Sequence, residues 1–174
     1  MKDKDSFDVT LCAHELLMRP WQTADAQWYV ESRDEEVFRW TKEKRELTIE
    51  EAEDGIRHAN STPDAVCFAI VDNKSLELLS NIALAFRANN RKSAEIMYWL
   101  VPWGRGRGMA TNAAKLLCQW AFDALGLERV TLTTLVGNTH SQLVAERAGF
   151  QRQATDKSEG GTDADYLWFE LTKN

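Results

Sequence analysis

The heptapeptide GRGRGMA, residues 104–110, follows an apolar run of strand character and precedes a helix-forming run. Three glycines at alternate positions let the main chain approach a ligand closely. A helix opening directly afterwards aims unpaired N–H groups and the positive end of its dipole at the same place. An anion, and a phosphate group above all, is the natural guest. A turn that only caps a helix needs one glycine rather than three. Two well-known phosphate loops are excluded. The ATP-cradling pattern G-x-x-x-x-G-K requires a lysine and then Ser or Thr, and no lysine follows these glycines. The dinucleotide fingerprint requires G-x-G-x-x-G in a first strand–helix unit, whereas here the spacing is G-x-G-x-G in the middle of the chain.

The segments around the loop alternate in period. HELLMRPW reads as a first strand, and TADAQWYVESR as a helix capped by Thr23 with Ala24, Trp28 and Glu31 on one face. TIEEAEDGIRHAN is a second helix, opened by a capping box from Thr48 to Glu51. AVCFAIVD, LLSNIALAFR and SAEIMYWLV are strands, the last reached through the turn-like ANNRK. After the glycine loop, MATNAAKLLCQWAFDAL sets Ala110, Ala113, Leu117, Trp120, Ala121 and Ala124 at helical spacing and stops at Gly126. RVTLTTLV is a strand, SQLVAERAGF a short helix ending at Gly149, and ADYLWFELT a last strand. Such an order gives a mixed α/β sheet, and without repeats, low-complexity tracts or a linker, residues 1–174 are expected to form one domain.

Charge and cysteine usage narrow the partners. The formal net charge is −6, and residues 1–87 carry 11 Lys/Arg against 18 Asp/Glu while the remainder carries 10 against 9. Sequence-independent nucleic-acid binding is not expected from that balance. Between Glu31 and Asp54 lie ten carboxylates and five basic residues, which suits either a solvated helix face or a cationic partner. Cys12, Cys67 and Cys118 are far apart and form no metal pattern with His14, His58 and His140, so they read as reduced core thiols and no metal is expected. The polar, acidic start MKDKDSFD is unlike a signal peptide, and the longest apolar stretch falls far short of eighteen residues. A cytoplasmic protein without a membrane partner is expected.

Arg105-Gly106-Arg107-Gly108-Met109-Ala110 resembles the [QR]-x-x-G-x-[GA] pyrophosphate loop of the GNAT superfamily of acetyl-CoA-dependent N-acetyltransferases. The resemblance to its RimJ/RimL-type branch runs motif by motif from Ala94 to Phe150, and includes the opening ELLMRPWQTADA and RWT at 39–41. Two departures stand out: Met97 occupies a position often held by Gly before Tyr98, and the tail after Phe150 lacks the common Glu-Gly followed by arginine. The resemblance implies a GNAT-like fold. Its sheet is central, mostly antiparallel and twisted, with about six to seven strands, helices on both faces, and a splay between the fourth and fifth strands.

Within that fold, Leu100 and Val101 at the splayed strand end are expected to offer main-chain groups to the pantetheine arm, with Pro102 ending regular pairing. Amides from Arg105, Gly106, Arg107, Gly108, Met109 and Ala110 are expected to receive the pyrophosphate, with both arginine side chains free to add attraction. Acetyl transfer to an amine needs a neutral nucleophile and a stabilised leaving thiolate. Glu95 matches the position where the superfamily often places a glutamate that takes the amine proton through water, and it lies in a mostly apolar run where burial would raise its pKa. Pairing with Arg87 or Arg91 is the alternative. Asn138 resembles the residue that hydrogen-bonds the pantetheine arm, and Ser141 the RimL-type serine assigned to the departing sulfur. Many GNAT enzymes use a tyrosine four residues before the Gly-Phe pair, a position held here by Ala145. Ser141 also suits a helix N-cap, and His140 reads as a surface loop residue.

Trp28, Trp40 and Trp99 are candidates to line the acceptor pocket, although with seven tryptophans most must be core. The resemblance implies acetyl-CoA as donor and a primary amine of a small molecule or peptide as acceptor. A ribosomal or other protein N-terminus is the alternative, and a non-catalytic acetyl-CoA sensor is the reading from a different class. Either a monomer or a homodimer fits.

Overall fold

The computed structural model describes residues 9–154 and 166–173. The opening MKDKDSFD and the first two residues of ADYLWFELT lie outside the described residues. Among the described residues are eight strands: β1 (Leu11–Ala13), β2 (Leu16–Arg19), β3 (Ala65–Asp72), β4 (Leu78–Arg87), β5 (Asn90–Leu100), β6 (Arg129–Leu135), β7 (Gln151–Gln153) and β8 (Tyr166–Thr172). The helices are α1 (Ala26–Glu31), α2 (Glu35–Trp40), α3 (Ile49–Ser61), α4 (Met109–Ala124) and α5 (Thr139–Ala148). The strands make one sheet in the order β1-β2-β3-β4-β5-β6-β8-β7. Every neighbouring pair is antiparallel except β5 and β6.

Eight strands exceed the six to seven expected, for two local reasons. The segment read as one strand, HELLMRPW, turns back on itself at His14 and Glu15, with His14 at φ 51°, so β1 and β2 form a hairpin without a glycine or asparagine to announce it. The added strand β7 has all three side chains exposed and carries no apolar alternation. Helix α2 was also hidden, because the acidic run before it reads as a solvated face; Asp34 caps it by accepting from the Val37 N–H at 3.1 Å. The first helix starts differently from expectation. A short 3₁₀ turn over Thr23–Asp25 precedes α1, and Thr23 is not its cap. Buried Asp25 instead accepts the Gln22 N–H at 2.8 Å and is neutralised by Arg19 at 2.7 Å, so Ala26 faces inward while Ala24 and Glu31 face solvent.

The capping box at Thr48 and Glu51 forms as the spacing requires. Helix α4 buries Ala113, Ala114, Leu117, Cys118 and Ala121 in one cluster with Phe68, Ile70, Leu84, Ile96, Leu132 and Phe169 of the sheet. A second cluster joins Trp21 and Ala26 to Ala52 and Ile56 of α3 and to Ala69 of β3. Apolar residues at period 3.6 on the helices and period 2 on the strands make this layering the low-energy arrangement. Of the cysteines, Cys67 and Cys118 are pushed up to about 11 and about 12 by burial and are therefore poorly reactive, whereas Cys12 is exposed and not a core thiol. Among the described residues, no helix is long and apolar enough to cross a membrane, and no group of three or more His, Cys, Asp or Glu could hold a metal ion.

Candidate active site

Strands β5 and β6 run side by side over three residue pairs only, from Ser93 with Arg129 to Glu95 with Thr131. Past Glu95 they diverge, and the main-chain edge of β5 is left without a ladder partner in β6. Pairing of β4 with β5 decides which residues present that edge. The Val101 N–H donates to Leu79 O at 2.9 Å, so by antiparallel alternation Trp99 also turns its main chain to β4, while Tyr98 and Leu100 turn theirs toward β6. Of the two residues expected to offer main-chain groups at the splay, Val101 is committed, its N–H to Leu79 O and its carbonyl to the Gly104 N–H, while the Leu100 carbonyl accepts from Arg105 Nε at 3.0 Å and Nη2 at 2.8 Å, which leaves the Leu100 N–H on the gap side.

The glycine loop lies at the end of this gap. Gly106 and Gly108 have φ of +72° and +75°, a region that side chains with a Cβ rarely adopt. No atom lies within 4 Å of a Cβ built at Gly106, and at Gly108 only Asn112 Nδ2 does, at 4.0 Å. Gly108 is the N-cap of α4 and has no side chain to cap it, nor is there an acidic residue in the first turn. The leading N–H groups of α4 therefore keep their donors for an incoming anion.

Both arginines of the loop are engaged rather than free. Arg105 makes a two-pronged pair with Asp34, Nη1 to Oδ2 at 2.8 Å and Nη2 to Oδ1 at 2.7 Å, and Arg107 pairs with Asp72. Hydrogen bonds from Arg107 and from the Lys74 and Ser75 amides hold the Asp72 carboxyl at about 2. Arg105 thus ties three segments together: the loop, the end of β5 and the cap of α2. Hydrogen bonds from Arg105 hold the Asp34 carboxyl below its ordinary value of 3.8. A carboxylate depressed in the folded state stabilises fully above its unfolded pKa, and that contribution fades as pH falls through the folded value. Arg105→Met should cost about 1 kcal/mol at neutral pH, or a few degrees in Tm, because the pair is about one-third exposed. The Tm difference from wild type should narrow below pH 4, as measured by thermal unfolding between pH 7 and 3.

Glu95 and Tyr98 project from opposite faces of β5. Glu95 shares its face with Met97, which is 49% exposed, and with Trp99. Its carboxylate lies 3.8 Å from Arg87 Nη2, so its surroundings are less apolar than the sequence suggests. Tyr98 reaches the other way, and its hydroxyl lies 3.0 Å from Ser141 Oγ on α5. The cap of α5 is Asn138, whose Oδ1 accepts from the Ser141 N–H at 3.1 Å; Ser141 is not the cap, and its hydroxyl is released from that task. Asn138 keeps its Nδ2 to donate elsewhere.

The three tryptophans part company. Trp28 and Trp99 stack at 6.2 Å between ring centroids, and Trp99 is 5% exposed, with Nε1 donating to Glu43 at 3.2 Å. Both belong to the core of the α1 face. Trp40, at the end of α2, reaches Gly137 just before α5, where a Cβ would lie 3.4 Å from its ring. It lies against the segment that joins β6 to α5. Sequence reasoning missed Asp34, Tyr98 and the placing of Trp40 beside Gly137. Asp34 and Tyr98 had no local signal, since their partners lie 71 and 43 residues away.

The family model described as Acetyltransferase (GNAT) domain matches residues 15–151. YdaF of Bacillus subtilis, which carries the name of a ribosomal N-acetyltransferase, is 37% identical over 87 residues, 48% of this chain and 47% of its own. The chain spans about half the length of the curated relatives it matches. Mycobacterium smegmatis RimJ, solved with CoA-disulfide, superimposes with a TM-score of 0.79 at 20% identity, covering 96% of this chain and 88% of that one. Spermidine N-acetyltransferase from Vibrio cholerae, solved with CoA and spermine, gives 0.77 at 18% identity over 91% and 95%. At these identities the two structures establish the shared fold.

Proposed function

Because the chain belongs to the GNAT acetyltransferase family, we propose that it is a RimJ/RimL-type N-acetyltransferase that uses acetyl-CoA to acetylate a primary amine of a small molecule or peptide. One observation carries this reading: the divergence of β5 from β6 ends at an uncapped helix start with Gly106 and Gly108 at positive φ, so a strand-like arm and a diphosphate can be held in one line. Acetyl-CoA supplies the activated acetyl thioester. Amides of residues 106–110 bind the diphosphate, the Arg105 N–H being engaged by Pro102 O at 3.3 Å, and the Tyr98 main chain and the Leu100 N–H hydrogen-bond the pantetheine arm, with Asn138 Nδ2 as a further donor. Glu95 takes the proton of the incoming amine, directly or through water, as the C–N bond forms. Ser141 directs its O–H at the sulfur as the C–S bond breaks and the electron pair passes to sulfur.

Trp40 forms the outer wall of the acceptor entrance. The acidic segment around it favours a cationic acceptor, although Glu35, Glu36, Glu51, Glu53 and Asp54 are each paired with a basic neighbour. An α-amine suits a modest base: neutralising it at pH 7 costs about 1 kcal/mol, against roughly 4.6 for a lysine amine. A protein N-terminus, as the name of YdaF suggests for that relative, is the second reading. The test is free-thiol release from acetyl-CoA against amines, dipeptides, polyamines and ribosomal proteins, with products identified by mass spectrometry. Turnover with an α-amine acceptor is expected. Saturable acetyl-CoA binding with no turnover on any acceptor would identify a sensor instead.

A further inference from the structure

The hydroxyl pair of Tyr98 and Ser141 is unexplained by packing. Tyr98 sits on β5 opposite Ile82 and packs against the main apolar cluster, where a phenylalanine would serve equally well. Its hydroxyl nevertheless meets Ser141 Oγ at 3.0 Å, across the gap where β5 and β6 part. Ser141 is available for that contact because Asn138 caps α5 in its stead. Ala145, one helical turn further along, is fully buried and has no hydroxyl to offer.

We propose that Tyr98 is a positioning residue: it donates its O–H to Ser141 Oγ and so holds the Ser141 O–H outward, on the sulfur that departs from the acetyl group. The inference rests on the acetyltransferase reading and deepens it. The direction of the bond follows from acidity, since a phenol is a stronger donor than an aliphatic alcohol. Burial pushes the Tyr98 hydroxyl up to about 12, so it remains a neutral donor throughout the working range. Two hydroxyls in series polarise one another, and the terminal O–H becomes a better donor to an anion. No proton need leave either residue. The chain stabilises the thiolate by hydrogen bonding, while the proton lost by the amine goes to Glu95 or water.

The readout is the thiol pKa of bound CoA, followed by thiolate absorbance near 240 nm, which needs no acceptor. Bound to the wild-type protein, the thiol should titrate below that of free CoA. Ser141→Ala and Tyr98→Phe should each raise it, by about one pH unit or a tenfold loss of thiolate at fixed pH. In the double variant Tyr98→Phe should add nothing to Ser141→Ala, because it acts through the serine. An unchanged pKa in Tyr98→Phe, or the same increment with and without Ser141, would overturn the proposal. Fluorotyrosine at position 98, a stronger donor of nearly the same shape, should lower the pKa further, and a value unchanged or raised would also overturn it. Absence of saturable CoA binding to the wild-type protein would sink the acetyltransferase reading and this pair with it. Binding with variants that behave additively sinks the pair alone.

Discussion

Gly108→Val is expected to lower acetyl-CoA affinity by two orders of magnitude or more, measured by calorimetry, while the protein remains folded. Two effects combine. Gly108 sits at φ +75°, where a β-branched residue is strained, so valine would pull the N-cap of α4 toward an ordinary conformation. The N–H groups that lead the helix would then no longer converge on one point, and a handful of charge-assisted hydrogen bonds at 1.5–3 kcal/mol each would be weakened together. Space inside the protein is not the obstacle, because the nearest atom to a new Cβ is Asn112 Nδ2 at 4.0 Å. The side chain would instead occupy room on the ligand side. Since the altered conformation is confined to a loop and one helix start, the cost to Tm should be modest. Unchanged acetyl-CoA affinity in this variant would refute the loop assignment.

Glu95→Gln is expected to lower kcat at pH 7 by about 10²-fold, within the range usual for loss of a general base, and to leave acetyl-CoA affinity unaltered. Without the carboxylate, turnover depends on the fraction of acceptor that is already neutral. The pH profile should therefore move upward and rise until the acceptor amine has titrated, at about pH 8 for an α-amine. Arg87 gives the carboxylate a second role to be separated from the first. If Glu95 merely neutralised that guanidinium 3.8 Å away, glutamine would leave the rate at pH 7 untouched. A side chain 32% exposed and paired only at 3.8 Å predicts little change in stability in either case.

Much of the fold was legible because its signals are local. The bounds of β3 and β4 follow directly from the runs AVCFAIVD and LLSNIALAFR, and α3 opens where its capping box says it must. The divergence of β5 from β6 follows the GNAT resemblance, carried by residues 94–150, whereas their short parallel contact does not. Illegible elements lacked a periodic or turn signature: the His14 turn, six-residue α2 and exposed β7. Within the site, the glycine-rich helix start was readable and the occupation of its arginines was not. The sequence shows that Arg105 and Arg107 can attract an anion, but nothing near them shows that Asp34 and Asp72 are already there.

The amino-acid sequence alone determined a glycine-rich helix start, most of the strands and helices around it, and the carboxylate and hydroxyl residues that the proposed chemistry calls on. Those features arise from interactions within a few positions along the chain, where backbone geometry leaves few choices. Only the tertiary structure decided that Asn138 rather than Ser141 caps α5, that Tyr98 meets the freed serine, and that Trp40 lies against Gly137 while Trp99 is buried beside Trp28. Each is settled by distances of a few ångströms between segments far apart in sequence, fixed by how strand register and helix packing bring distant side chains together.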